Sequence, residues 1–331
     1  MNGVLVTGGA GYIGSHVVQQ LVARGEHVVV VDNLSTGFRD AVHGAELVVG
    51  NVGDRGLVSQ VLAEHRVDTV LHFAAHTVVP ESVCDPVKYY GNNTCNTCNL
   101  LACCSEAEVS KFIFSSTAAV YGMTDGGVAD EETPTRPINP YGMSKLMSET
   151  MVRDLSAAGA LRHVILRYFN VAGCDPAGRI GHSTPHATLL IKVACQHAVG
   201  KCASLAIYGT DYNTPDGTGI RDYIHVEDLA AAHLRALDHL RSGGESLTLN
   251  CGYGHGYSVR EVIDAVARIS GRALNVVELP RRVGDLPMLI ACSDRLQRVL
   301  DWHPRYDDLD FIVRTAFLWE QKLAQSVDYV S

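Results

Sequence analysis

The chain contains no apolar run approaching the roughly 20 residues that a helix needs to cross a bilayer. Its first residues pass straight into GVLVTG, a strand-like run, instead of a basic and apolar leader. These absences lead us to expect a cytoplasmic protein with no membrane partner. Charge is also scarce: Asp, Glu, Lys and Arg make up 19% of the 331 residues, and the formal net charge is −9. Without a basic run, nucleic acid is excluded as a partner, and any anionic ligand must be met by individually placed cations. The fifteen histidines hold no HExxH or other compact ligand spacing, and His182 with His186 falls in a loop-like Ser/Thr/Pro segment, so no metal is expected. Ten cysteines include Cys95 and Cys98 in a CxxC, with Cys103 and Cys104 close behind. The surrounding DPVKYYGNNTCNTCNLLACC reads more simply as a helix started by Asp85-Pro86, with small apolar side chains on its packed face.

The composition that is present is that of a globular chain, 47% hydrophobic and long enough for about two domains. Short apolar runs alternate with helical segments: GVLVTG, HVVVVDN, LVV at 47–49, DTVLHFAA from Asp68, KFIFSS from Lys111 and HVILRYFN from His163. This pattern predicts an α/β fold, a Rossmann-like doubly wound parallel sheet over residues 1–178. After residue 178 longer turn-rich loops such as GRIGHSTPH and GTDYNTPDGTGIRDY suggest a smaller α/β substrate-binding domain over 179–331. Later segments are free to return to the first unit. Ser258 with Glu261 reads as a capping box at the start of a helix.

Gly8, Gly11 and Gly14 stand in TGGAGYIG between the first strand and a helix. Glycines at this spacing permit a tight turn, close approach to a pyrophosphate and a helix N-terminus aimed at phosphate. The acid expected about 20 residues later is Asp32. A carboxylate there accepts hydrogen bonds from ribose hydroxyls and repels a 2′-phosphate, so NAD is favoured over NADP.

Tyr141 precedes Lys145 by four residues, which places both on one helix face, and Thr117 closes the strand-like FSST. A free phenol, with a pKa near 10, is a poor base at neutral pH. A cation about 4 Å away is worth roughly 1 kcal/mol in water and roughly 4 at an effective dielectric near 20. Only a closed, cation-lined pocket could therefore make Tyr141 a base, and Thr117 would hold or relay the substrate's proton. Strand ends carrying Asp32, His72 to Thr77, Ser115 to Thr117 and Tyr168 to Asn170 all fall on one rim of such a sheet. Arg221 and Arg282 are the expected diphosphate ligands, because guanidinium offers phosphate a fixed fork.

Through TGGAGYIGSH, DNLSTG, HFAA with PESV, YYGNNT, FSSTAAVYG, NPYGMSK, LRYFNVAG, SLAIYGTDYNTPDGTGIRDYIHVEDLA and RRVGDLP, nearly the whole chain resembles the nucleotide-sugar epimerases of the extended short-chain dehydrogenase/reductase family. The resemblance implies NAD-dependent, reversible inversion at carbon 4 of a UDP-hexose such as UDP-glucose or UDP-galactose, through a 4-keto intermediate. It implies Tyr141, Lys145 and Thr117 as catalytic residues. For the cofactor it implies Gly8, Gly11, Tyr12, Ile13 and Gly14; then Asp32, Asn33, Leu34, Ser35, Thr36 and Gly37. Further along it adds Asn51 and Val52; Phe73, Ala74, Ala75 and Thr77; and Asn92 and Phe169. For the UDP-sugar it implies Asn170, Leu189, Ala206 and Tyr208, with Arg221, Arg282, Asp285 and Leu289, and it implies a homodimer formed by the helix near 86–105 and the one carrying Tyr141.

Several positions depart from the family pattern. Asn51 stands where an aspartate usually meets adenine, and its oxygen could still accept that hydrogen bond. Thr77 replaces a frequent lysine, and Leu189 and Lys192 replace Asn or His and Pro. Leu289 replaces the Tyr common in strict enzymes, which suggests that N-acetylated UDP-hexoses are accepted. Three other readings remain in play. A 4,6-dehydratase would need titrating groups directly after Thr117, where Ala118 and Ala119 stand. A 4-epimerase of a UDP-pentose or uronate needs no change in the chemical residues. A non-catalytic NAD sensor has no use for Thr117, Tyr141 and Lys145 together.

Overall fold

The computed structural model describes residues 2–184, 187–282 and 284–328, so His186 and Val283 lie outside it. The expected apolar runs become β1 (Gly3–Thr7), β2 (Val28–Asp32), β3 (Glu46–Val49), β4 (Val67–His72) and β5 (Lys111–Thr117). After the short β6 (Val128–Ala129) come β7 (Arg162–Tyr168), β8 (Asn170–Ala172), β9 (Leu205–Tyr208), β10 (Ile220–Arg221) and β11 (Tyr223–His225). The last strands are β12 (Leu247–Cys251), β13 (Tyr257–Ser258), β14 (Val276–Leu279) and β15 (Met288–Ala291). The helices are α1 (Tyr12–Ala23), α2 (Arg55–Glu64), α3 (Val79–Cys84), α4 (Pro86–Tyr89), α5 (Asn96–Glu106) and α6 (Pro140–Ala157). They continue as α7 (Leu190–Ala198), α8 (Val226–Arg241), α9 (Val259–Ser270), α10 (Asp294–Leu300) and α11 (Leu309–Asp328).

Seven strands form one sheet in the order β12-β7-β5-β4-β1-β2-β3, and every pairing in it is parallel. Because strand side chains alternate in direction, Val4, Val6, Val28 and Val30 pack with Leu21 of α1 and Leu229 of α8 on one face. Leu5, Val29 and Val31 pack with Leu62, Leu100 and Val152 of α2, α5 and α6 on the other. The order reverses between β1 and β4, and ligand crevices open at such switch points. A four-stranded sheet β13-β10-β15-β6 and the pairs β11-β8 and β14-β9 lie beside it. β12 follows most of these small strands in sequence yet pairs with β7 in the large sheet.

Three local differences from the sequence reading have plain causes. HVILRYFN is not one strand: β7 stops at Tyr168, and Asn170 pairs instead with Tyr223 in the two-stranded pair β11-β8. The segment after Asp85-Pro86 is helical, but Tyr90–Cys95 winds as a π-turn between α4 and α5. Of the four clustered cysteines, Cys103 and Cys104 are buried while Cys95 and Cys98 are exposed, so the packed face carries only the later pair. The capping box forms as expected, with Ser258 Oγ accepting from Glu261 N and Glu261 accepting from Ser258 N.

Helix α6 starts at Pro140, with Asn139 Oδ1 accepting from Gly142 N at 2.8 Å. A buried charge network fixes its far end. Glu149, with no exposed side-chain surface, accepts from Arg167 Nε at 3.0 Å and Nη2 at 2.7 Å, from Arg153 at 2.9 Å, and from Ser116 Oγ. Arg167 Nη1 also donates to Tyr121 Oη at 3.1 Å, and Tyr121 donates to Asn250 Oδ1 at 2.6 Å. α6 is thereby tied to β5, β7 and β12. Removing one partner of a buried ion pair leaves the other uncompensated, at about 3–5 kcal/mol. Arg167→Met should cost a stability in that range by reversible denaturant unfolding; a loss under about 1 kcal/mol would show that the network does not hold α6.

Candidate active site

The crevice begins at the β1–α1 turn. Gly8 has φ of +71°, and a Cβ there would sit 2.6 Å from Ala74 N, so only glycine lets the β4 end approach this closely. A Cβ on Gly14 would lie 2.2 Å from the Gly8 carbonyl, which explains why the helix packs this tightly on the turn. Gly11 is the N-cap of α1 and provides no side-chain cap, so backbone N–H groups remain available at the turn. Asp32, at the end of β2, accepts from Ala10 N at 2.9 Å and Leu34 N at 2.8 Å. These bonds fix its carboxylate and leave further lone pairs for ribose hydroxyls, so the donor set suits NAD. Asn33 Oδ1 accepts from Ser35 N at 3.0 Å, Ser35 and Thr36 are exposed, and Gly37 lies against Ala10.

Tyr12 and Ile13 are partly buried at the start of α1. Tyr12 Oη donates to the Gly173 carbonyl at 2.7 Å, and its ring stacks on His182 at 4.5 Å. Phe73, Ala74 and Ala75 continue from β4 beside the glycine turn, with Phe73 N donating to the Thr7 carbonyl, while Thr77 is exposed. Val52 is buried. Asn51 Oδ1, expected to be open to adenine, already accepts from Gly53 N at 2.8 Å and Asn96 Nδ2 at 3.1 Å. Asn92 donates to Asn93 Oδ1 at 3.0 Å within the π-turn.

Thr117, Tyr141 and Lys145 lie next to this rim. Tyr141 is 6% exposed and Lys145 2%. Burial, with Tyr168 nearby, pushes the Tyr141 hydroxyl well above the ordinary phenol range, opposed by its hydrogen bond with Thr117. Burial pulls the Lys145 ammonium down to about 7, opposed by the negative charge of Glu149. The lysine Nζ donates to the Ser115 carbonyl at 2.9 Å and lies 4.8 Å over the Phe114 ring. One Nζ proton of Lys145 is directed at a backbone carbonyl, and burial outweighs the protein groups acting on Tyr141.

Glu149 escaped the sequence reading, although its spacing was a signal: 141, 145 and 149 form one face of α6. His72 was seen only as part of a rim. Its Nδ1 meets Thr7 Oγ1 at 2.6 Å and its Nε2 meets Thr97 Oγ1 at 2.9 Å, and burial lowers its pKa to about 3, so it is a neutral cross-link.

At the other end of the crevice β9 places Ala206 and Tyr208 on one face. Arg282 lies 4.5 Å over the Tyr208 ring and pairs with Asp285 at 2.8 Å. Arg221, on β10, is mostly buried; its Nη1 donates to the Ile220 carbonyl at 2.8 Å, and it forms no ion pair among the described residues. A desolvated guanidinium left without a carboxylate favours an anionic ligand. Leu289 pairs with Arg221 across β15 and packs with Ala118, Phe169 and Leu286. Asn170 N donates to the Asp222 carbonyl at 3.0 Å, and Leu189 is the N-cap of α7. Lys192 is buried against Glu320 and donates to the His182 carbonyl, while Lys201 takes the other Glu320 oxygen at 2.9 Å. Its charge is thus spent inside the protein.

The acids of DGTGIRDYIHVEDLA prove structural. Asp222 accepts from Tyr253 N, Gly254 N and Ala291 N, and Asp228 from Tyr253 Oη, Arg305 N and Tyr306 N. Arg221 is the charged residue of that motif left for a ligand. Among the described residues no group of three or more His, Cys, Asp or Glu is placed to hold a metal ion.

A family model described as the NAD dependent epimerase/dehydratase family matches residues 4–252. The UDP-glucose 4-epimerase of Azospirillum brasilense is 57% identical over 98% of this chain and 93% of its own length. The crystal structure of UDP-glucose 4-epimerase from Brucella ovis in complex with NAD is 44% identical, covers 96% of this chain and 98% of that one, and superposes with a TM-score of 0.93. The UDP-Glc/GlcNAc 4-epimerase from Campylobacter jejuni is 46% identical over 97% of this chain and 100% of that one, with a TM-score of 0.85. Sheet order, glycine turn and relatives of nearly full length agree: the chain belongs to the NAD-dependent epimerase/dehydratase family.

Proposed function

We propose that the protein is an NAD-dependent isomerase that inverts carbon 4 of UDP-glucose and UDP-galactose. The observation that carries this is the burial of Tyr141 beside Thr117 and Lys145 at the rim of the glycine-turn crevice. NAD, when bound, supplies a reversible hydride acceptor. Tyr141 takes the proton of the sugar's 4-hydroxyl and returns it when the carbon 4 carbonyl is reduced from its other face. Thr117 hydrogen-bonds the same oxygen, and Lys145 holds the ribose and stabilises the phenolate. One cation near 4 Å contributes roughly 4 kcal/mol at an effective dielectric near 20, about three pKa units. A second cation would add to this against the burial described above. Residues 1–178 carry the cofactor, and 179–331 mainly the UDP-sugar, whose diphosphate is met by Arg221 and Arg282.

The dehydratase reading is disfavoured because Ala118 and Ala119 form the turn directly after Thr117 and bring no titrating group. Leu289, in its apolar cluster, favours tolerance of a 2-acetamido group, in keeping with the Campylobacter relative. A UDP-pentose remains the second reading on the same residues. Ten free thiols are in keeping with the cytoplasm, and no helix among the described residues is long and apolar enough to cross a membrane. A homodimer through the helical segment 86–105 and α6 is supported by exposed Val87 and Met147.

Tyr141→Phe should still bind UDP by calorimetry yet lose roughly 10²–10⁴-fold of the conversion of UDP-galactose to UDP-glucose; near-normal turnover would remove Tyr141 from its role. UDP-GlcNAc should turn over at a rate comparable to UDP-glucose, and Leu289→Tyr should abolish the former while sparing the latter. Undetectable turnover of the acetylated sugar by the unmodified protein would remove that tolerance. Light scattering should give twice the chain mass, and Val87→Glu with Met147→Glu should halve it; a monomer at the outset would end the dimer proposal.

A further inference from the structure

The loop Gly209–Thr218 is held by its own hydrogen bonds. Tyr212 N donates to the Gly217 carbonyl at 2.9 Å, Thr214 Oγ1 to the Thr218 carbonyl at 2.7 Å, and Thr218 N and Oγ1 to Asp216 Oδ1 at 2.8 and 2.7 Å. Asp216 also accepts from the Ser258 hydroxyl that caps α9. At Gly209, φ is +81° and a Cβ would lie 2.6 Å from the Tyr212 ring, so this turn closes directly onto that side chain. Arg281 covers the ring at 4.2 Å and clamps the loop through Asp211 Oδ1 at 2.7 Å.

These contacts fix a ring whose hydroxyl has no partner among the described residues: Tyr212 is 7% exposed, and its Oη is buried without a hydrogen-bond partner there. An unsatisfied buried hydroxyl is costly, and buried polar atoms almost always find partners. The charges that act on this hydroxyl are Asp285, Arg281, Arg221 and Arg282, three cations to one anion. Asp285 is engaged by Arg282, and Arg281 by Asp211. Arg221 has no ion pair among the described residues. A neutral donor among these groups is matched to an oxyanion that bridges the guanidinium groups, since a hydroxyl adds a hydrogen bond where a further cation would add repulsion.

We propose that the Tyr212 hydroxyl is a further substrate-binding group, which donates to a diphosphate oxygen of the UDP-sugar held between Arg221 and Arg282. The proposal rests on the functional reading above and assigns it a residue. Arg281 and Gly209 are then positioning residues, which aim the ring.

The test is calorimetric titration of wild-type protein and Tyr212→Phe with UDP and with uridine, alongside melting of the ligand-free forms. The variant keeps the ring and its arginine cover and loses one oxygen. A hydrogen bond to a charged group is worth enough for roughly a tenfold or greater rise in the Kd for UDP. Uridine affinity and melting temperature should not fall. Equal UDP affinities in the two proteins would overturn the proposal, as would a parallel loss for uridine or a lowered melting temperature with UDP binding intact, which would give the hydroxyl a partner inside the protein. Wild-type protein that binds no UDP would remove the functional reading and this proposal together, whereas an indifferent variant of a UDP-binding protein removes this proposal alone.

Discussion

Two burial penalties of opposite sign meet in one pocket, and the rest of the molecule serves to keep them there. Burial raises Tyr141, which prefers to keep its proton, and lowers Lys145 to about 7, where it readily gives one up. Each penalty is relieved by a partner of opposite charge, so an ionised phenol and a protonated lysine stabilise one another, and either alone is poor. Burial by itself thus favours the neutral form of each. A base that becomes strong only when the cofactor is seated would not remove protons unproductively.

The scaffold around that pair is rigid for identifiable reasons. Glu149 keeps negative charge within reach of Lys145 but is itself engaged by Arg167, Arg153 and Ser116, so it supports the lysine's charge without accepting its proton. Tyr121 and Asn250 carry this network to β12, which ties a strand late in the sequence to the sheet on which α6 packs. Around Arg221 the logic is inverted. Asp222 is saturated by backbone N–H groups and Asp228 by backbone N–H groups and the Tyr253 hydroxyl, while Arg221 forms no ion pair among the described residues.

Much of this was legible in the sequence because the signals were local. Short apolar runs between helical segments gave the parallel strands, glycine spacing gave the turn, and Asp32 falls at the end of β2. The spacing of 141 and 145 gave one helix face, and Ser258 with Glu261 gave a cap. What was not legible depends on contacts distant in sequence. Phe169 breaks the run at 163–170 because Asn170 pairs with Tyr223, more than fifty residues later. Cys95 and Cys98 face outward because a π-turn rotates the helix between α4 and α5. Asn51 has its oxygen taken by Gly53 and Asn96, and Lys192 finds Glu320 on a helix 128 residues away. The direction of Lys145, toward Ser115, is likewise set by packing that a helix-face rule does not contain.

In the proposed function the phenol becomes a base through neighbouring positive charge, including that of the cofactor. Ultraviolet difference titration of tyrosinate tests it most directly, with NAD-free and NAD-loaded protein compared to their Tyr141→Phe counterparts so that the Tyr141 signal is isolated. Tyr141 should stay protonated throughout the accessible alkaline range without NAD and ionise near neutrality with it. The same ionisation in both forms would contradict it.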